Sequence, residues 1–145
     1  NDSASAITRL LEMGVEPYLI SSALMAVVAQ RLLRSICPEC KTAFYPPREV
    51  IRELGFDEDK QLRLLKGKGC SACYDSGFKG RLGLYEMLEM DEGLQRLVLS
   101  NGTIDDYQRY LKSKGHKTLR ESGYEKVIKG LTTIEEVKRA TSIEI

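Results

Sequence analysis

The chain has 145 residues, enough for one ordinary domain or two small ones and for a core that hides about two thirds of the unfolded surface. Hydrophobic residues make up 42% and charged residues 30%, a globular balance, and 22 Lys+Arg against 21 Asp+Glu leave a formal charge of +1. That near-neutrality argues against a basic nucleic-acid module, and no apolar run reaches the length of about 18 residues that a membrane-spanning helix needs.

The opening Asn1-Asp2-Ser3 has no start methionine and no secretion leader. The expectation is a piece of a longer protein whose cysteines stay reduced. Ile7, Leu10 and Leu11 recur at helical spacing, and Gly14 supplies the stop. Pro17 suits the first position of a second helix, predicted to run to about residue 33. That helix would be apolar around much of its circumference (Leu19, Ile20, Ala23, Leu24, Val27, Val28, Leu32), so a missing sheet or a partner chain is expected to cover it. Tyr45-Pro46-Pro47 is a stiff extended stretch, residues 48–54 a short helix stopped by Gly55, and residues 61–65 a second short element. Residues 81–88 form a strand after Gly80. Helices then follow: one capped by Asp91 and ending near Asn101-Gly102, one opened by Thr103 with Asp106 and stopped by Gly115, one over 118–129 closed by Gly130, and a last one opened by Thr132 with Glu135. The predicted class is α+β and mainly helical.

All four cysteines fall into two Cys-x-x-Cys pairs, Cys37/Cys40 and Cys70/Cys73, with residues 41 to 69 between them. Two intervening residues let both thiolates of a pair face one ion, and the second pair completes a tetrahedron. Four thiolates with no open position make a structural site, and zinc is the expected metal. A single iron, which would make the chain an electron carrier, also fits four thiolates. Four buried free thiols or disulfides are the plain alternative. Of the flanking cations Arg34, Lys41, Lys66, Lys68, Lys79 and Arg81, all but Arg81 are expected to be solvated surface residues.

Catalytic signals are scarce. No G-x-x-x-x-G-K-[ST] phosphate loop is present. The single histidine, His116, follows a helix stop and reads as a surface or cap residue, which leaves no Ser-His-Asp triad. The chain on its own is expected to catalyse nothing.

The run from Ala6 through Arg9-Leu10-Leu11-Glu12-Met13-Gly14 to Pro17-Tyr18, then Ala29-Gln30-Arg31-Leu32 and Cys37-Pro38-Glu39-Cys40, resembles the C-terminal portion of the type II secretion and type IV pilus assembly ATPases. The likeness continues through Gly69-Cys70-Ser71-Ala72-Cys73, Gly80-Arg81-Leu82-Gly83-Leu84-Tyr85-Glu86, Leu119-Arg120-Glu121-Ser122-Gly123, and Gly130-Leu131-Thr132-Thr133-Ile134-Glu135-Glu136-Val137, covering essentially the whole chain. The resemblance implies a parent that is a hexameric RecA-like ATPase, using ATP and magnesium on the cytoplasmic face of the inner membrane. It would drive pilus or pseudopilus subunits through a membrane platform protein. The phosphate loop and the His box would lie upstream, with Asn1-Asp2 as the tail of that box. In that scheme residues 1–35 are distal helices of the motor core, 36–80 a tetracysteine zinc subdomain, 81–90 a strand returning to the core, and 91–145 a C-terminal helical subdomain. Cys37, Cys40, Cys70 and Cys73 are the metal ligands. Arg81 and, less favoured, Arg31 would face a nucleotide or a neighbouring subunit; an arginine satisfied by a carboxylate or carbonyl is an equally good reading of each.

The rival function is a zinc-ribbon nucleic-acid binder. It requires a basic stripe with interleaved aromatics. Balanced charge and the absence of tryptophan count against it.

Overall fold

The computed structural model describes residues 2–142. Among them are seven α-helices and two small two-stranded sheets, a mixed α+β architecture. In chain order these are α1 (Ser3–Glu12), α2 (Pro17–Ala23), β1 (Ala26–Ile36), β2 (Lys41–Phe44), α3 (Arg48–Glu53), β3 (Leu64–Gly67), a 3-10 turn (Ser71–Cys73), β4 (Phe78–Glu89), α4 (Glu92–Leu99), α5 (Ile104–Ser113), α6 (Leu119–Ile128) and α7 (Ile134–Thr141). The chain forms two compact units, residues 1–30 with 85–119 and residues 31–84 with 120–145. β1 and β4 pair with each other, and each begins in one unit and ends in the other.

The first unit is built on helix signals read directly from the sequence. Asp2 caps α1 by accepting from Ser5 N at 2.8 Å, and Gly14 takes the left-handed φ of +90° that ends the turn. Asp91 caps α4 through Leu94 N at 2.9 Å. Thr103 and Asp106 cap α5 reciprocally, Asp106 N donating to Thr103 Oγ1 and Thr103 N to Asp106 Oδ2. The apolar faces meet in one cluster: Ala4, Ile7, Ile20, Leu88, Leu94, Val98, Tyr107 and Leu111 are all buried. α2 lies on α4, and α1 and α4 both contact α5.

Residues 26–36 correct the predicted long helix. α2 ends at Ala23, Leu24 is already extended (φ −74°, ψ 123°), and the chain continues as β1. Ala26, Val28, Gln30, Leu32 and Arg34 are exposed while the residues between them are half-buried or buried. A strand apolar on both faces presents the same composition as a helix apolar all round, and β-branched Val27, Val28 and Ile36 favour the strand.

In the second unit, β2 and β3 pair antiparallel with Lys41 opposite Gly67 and Phe44 opposite Leu64. Residues 64–67 form β3, so the short element expected over 61–65 begins three residues later. Leu33, Ile36, Ile51, Leu64, Val127, Ile134 and Val137 are buried. α6 and α7 approach closely at Gly123, where a methyl group would overlap the Val137 side chain. The cap of α7 is Thr133, whose Oγ1 accepts from Glu136 N at 3.3 Å, and not Thr132. Thr132 is buried and donates instead to the Arg34 carbonyl at 2.8 Å.

Candidate metal centre

The β2–β3 ribbon brings the two cysteine pairs together. Cys40 leads directly into β2, β3 leads into the second pair, and Lys68 N donates to Cys40 O at 3.2 Å. Cys37 N then donates to Gly77 O at 2.9 Å, closing the second loop against the first. This close approach demands glycine. A methyl group at position 67 would overlap the Gly77 carbonyl oxygen, and Gly77, at φ +79°, would place one 2.6 Å from Gly67 O. Gly67→Ala is expected to cost at least about 3 kcal/mol and to weaken metal binding, because neither backbone can retreat. Urea denaturation followed by metal titration of the variant checks this.

All four Sγ atoms lie within 4.8 Å of one another. Cys37–Cys70, Cys40–Cys73 and Cys70–Cys73 are separated by 3.9, 3.8 and 3.7 Å. A tetrahedron with metal–sulfur bonds of about 2.3 Å has edges of about 3.8 Å. Three of the six sulfur–sulfur separations match that edge and the others stay within 4.8 Å, so the set suits one tetrahedral ion, and four thiols fit zinc. They are not bonded to each other: the cysteines are free, Cys37 and Cys73 buried, Cys40 and Cys70 half-buried.

Backbone N–H groups point at two of the sulfurs. Gly69 N donates to Cys40 Sγ, while Cys70 N and Gly77 N both donate to Cys73 Sγ, each at 3.3 Å. Burial opposes ionisation at Cys73, but the two N–H donors outweigh it and the thiol falls to about 6. Burial carries Cys40 up to about 11. Without a cation, Cys73 gives up its proton readily while Cys40 holds on to its own. A divalent ion removes that hold.

The remaining arginines are placed as follows. Arg81 is exposed on β4, and Arg31 is half-buried on β1. Arg34 is not merely solvated. Its backbone N and its guanidinium donate to Glu136, at 2.9 Å and 3.0–3.2 Å, and the guanidinium stands 4.3 Å from the Phe78 ring centre. Arg139 donates to the same carboxylate at 2.6 and 3.1 Å. Glu136 is buried, which opposes its charge, yet the donors from Arg139 and Arg34 hold it at about 2. A carboxyl depressed in the folded state stabilises above its unfolded pKa of about 4.3 and loses that contribution as pH falls through its folded value. About 3 kcal/mol of the second unit's stability is therefore expected to disappear between about pH 4.5 and pH 2. Glu136→Gln flattens that part of a pH–stability curve.

Sequence reasoning also missed a second buried carboxylate. Glu86 accepts from Ser3 N at 3.0 Å, from Ser3 Oγ, and from Leu119 N at 2.8 Å, and His116 Nε2 lies 3.2 Å from it. His116 is thus a partner of Glu86, with a side chain only 12% exposed, and not a surface residue. Burial opposes the charge of Glu86, and the Ser3, Leu119 and His116 contacts keep its carboxyl below the usual range. The only signal in the sequence is an acid among apolar residues on a strand at an inward-facing register.

The family model described as type II/IV secretion system protein matches residues 1–139. The chain belongs to this family. It is 43% identical over 143 residues to the type IV pilus assembly ATPase PilB of Thermus thermophilus, covering 97% of this chain and 16% of that protein. It is 37% identical over 144 residues to type II secretion system protein E of Pseudomonas aeruginosa, covering 99% of this chain and 28% of that protein. It is 37% identical over 141 residues to type II secretion system ATPase E of Vibrio cholerae, again 28% of that protein's length. The chain thus spans between about a sixth and just over a quarter of these secretion-system relatives. No helix among its described residues is long and apolar enough to cross a membrane.

Proposed function

We propose that this chain is the C-terminal region of a secretion or pilus assembly ATPase, and that Cys37, Cys40, Cys70 and Cys73 hold a structural zinc ion there. The observation that carries the reading is the near-tetrahedral set of four sulfurs in a chain whose relatives are named as assembly and secretion ATPases. The ion fastens residues 37–40 to residues 70–73 and, with no further His, Cys, Asp or Glu grouped with the four cysteines among the described residues, offers no catalytic position.

In this reading residues 36–80 are the zinc subdomain, 81–90 lead back to a RecA-like core, and 91–145 form a helical tail. The ATP- and magnesium-binding residues lie upstream. The whole protein works as a homo-hexamer on the cytoplasmic side of the inner membrane, against a platform protein. Arg81, and after it Arg31, are the residues assigned to a nucleotide or subunit contact. The exposed position of Arg81 supports that order.

The full-length protein tests the reading. It is expected to hydrolyse ATP, to run as a hexamer in native mass spectrometry and to carry one zinc per chain. Arg81→Ala is expected to lower the hydrolysis rate about tenfold or more without loss of zinc. Salt-dependent DNA binding at micromolar protein, with no ATP hydrolysis, would instead support the zinc-ribbon nucleic-acid binder.

A further inference from the structure

We infer that Cys70 is a peroxide-reactive sulfur, and that its oxidation to a Cys70–Cys73 disulfide expels the metal and opens the second cysteine loop. The inference rests on the metal reading above. The four sulfurs are not equivalent. Cys37 and Cys73 are buried. Backbone N–H groups donate to Cys40 once and to Cys73 twice, and the 3-10 turn sets Cys73 N on the Cys70 side chain. Cys40 and Cys70 are both half-buried, and Cys70 lies 3.7 Å from Cys73, the second cysteine of its own loop, and 3.9 Å from Cys37. Cys70 is thus a partly exposed sulfur, open to a small neutral oxidant, with a disulfide partner at hand in the same loop.

The step balances as a two-electron oxidation. The Cys70 thiolate attacks one oxygen of hydrogen peroxide and breaks the O–O bond, giving a sulfenic acid and a hydroxide that takes a proton from solvent to become water. The Cys73 thiolate attacks that sulfur, forms the S–S bond and releases hydroxide, which takes a proton to become the second water. Two thiolates are oxidised and one peroxide is reduced. The disulfide is about 2.05 Å long, so the 3.7 Å edge of the tetrahedron collapses and a divalent ion keeps only two thiolates.

The loop is prepared for opening. Tyr74 and Asp75 both sit in the left-handed region, at φ 53° and 60°, where a bulky side chain is strained. Tyr74 is also 93% exposed, so its ring contributes no burial that would offset the strain. The turn is held by Asp75 N to Cys70 O, Ser76 N to Cys73 O and Gly77 N to Cys73 Sγ, three bonds that depend on where the two cysteines stand.

The test uses the full-length, zinc-loaded protein, with its metal content verified by native mass spectrometry before any oxidant is added. Hydrogen peroxide is added at one to ten equivalents, a chromogenic chelator follows zinc release, and peptide mass spectrometry locates the oxidised residues. The expected result is one zinc released per chain, a loss of two hydrogens mapped to the Cys70–Cys73 peptide, and recovery with dithiothreitol and zinc. Tyr74→Asn, which tolerates the left-handed turn, is expected to bind zinc normally and release it severalfold more slowly. Zinc retained through ten equivalents, a disulfide between another pair, or oxidation confined to methionines such as Met25 would overturn the inference and leave the metal reading standing. A protein without zinc before peroxide would overturn the metal reading, and this inference with it.

Discussion

Cys37→Ser and Cys70→Ser are each expected to unfold residues 36–80 at neutral pH while the helices of residues 91–145 remain partly formed. The reasoning is energetic. Zinc held by a complete structural site contributes on the order of 10–16 kcal/mol, and that binding energy is folding energy for the segment it closes. Little else closes this segment. β2 and β3 are four residues each, α3 is six, and Tyr45-Pro46-Pro47 donates at most one backbone N–H. Cys37 is fully buried, so a serine there also buries a hydroxyl in place of a ligand. The first unit does not depend on the ion: Leu94, Val98, Tyr107 and Leu111 meet Ile7, Ile20 and Leu88 in a core of their own. Amide hydrogen exchange distinguishes the outcomes. Protection lost across 36–80 and kept in α4 and α5 is the expected pattern, and wild-type protection across 36–80 refutes it.

Glu86→Ala is the second large effect, at least about 3 kcal/mol of the first unit's stability. One carboxylate accepts the first N–H of α1 (Ser3) and the first N–H of α6 (Leu119), two of the donors that a helix cannot satisfy internally. Truncation leaves both N–H groups and the Ser3 hydroxyl without their acceptor in a place from which water is excluded, and each such loss costs about 1–3 kcal/mol. Glu86→Gln keeps one carbonyl acceptor and is expected to lose about half as much. Urea denaturation gives the magnitude. Faster amide exchange at Ser3 and Leu119 shows that the helix starts are where it falls.

The sequence made the helices of residues 91–141 legible because their boundaries rest on local chemistry. Asp91, Thr103 with Asp106, Gly115 and Gly130 each act within a few residues of where they stand. The gathering of the four cysteines was legible for a similar reason, since Cys-x-x-Cys spacing is a local constraint. What escaped was set by distant partners. Residues 26–36 form a strand because β4, more than forty residues on, pairs with them. Thr132 lost its expected capping role to the Arg34 carbonyl, 98 positions away. Glu86 and Glu136 looked like ordinary acids until Ser3, 83 positions from the first, and Arg34, 102 positions from the second, were brought against them. His116 changed from a surface residue to a half-buried partner by the same contact.

The central claim is that four cysteine sulfurs and nothing else hold one zinc ion in this member of the secretion-system family. X-ray absorption at the zinc edge on the full-length protein tests it most directly. The account predicts one zinc per chain with four sulfur neighbours at about 2.3 Å and no oxygen or nitrogen in the first coordination sphere. Iron in place of zinc, a mixed sulfur and oxygen or nitrogen shell, or a folded protein with no metal would contradict it.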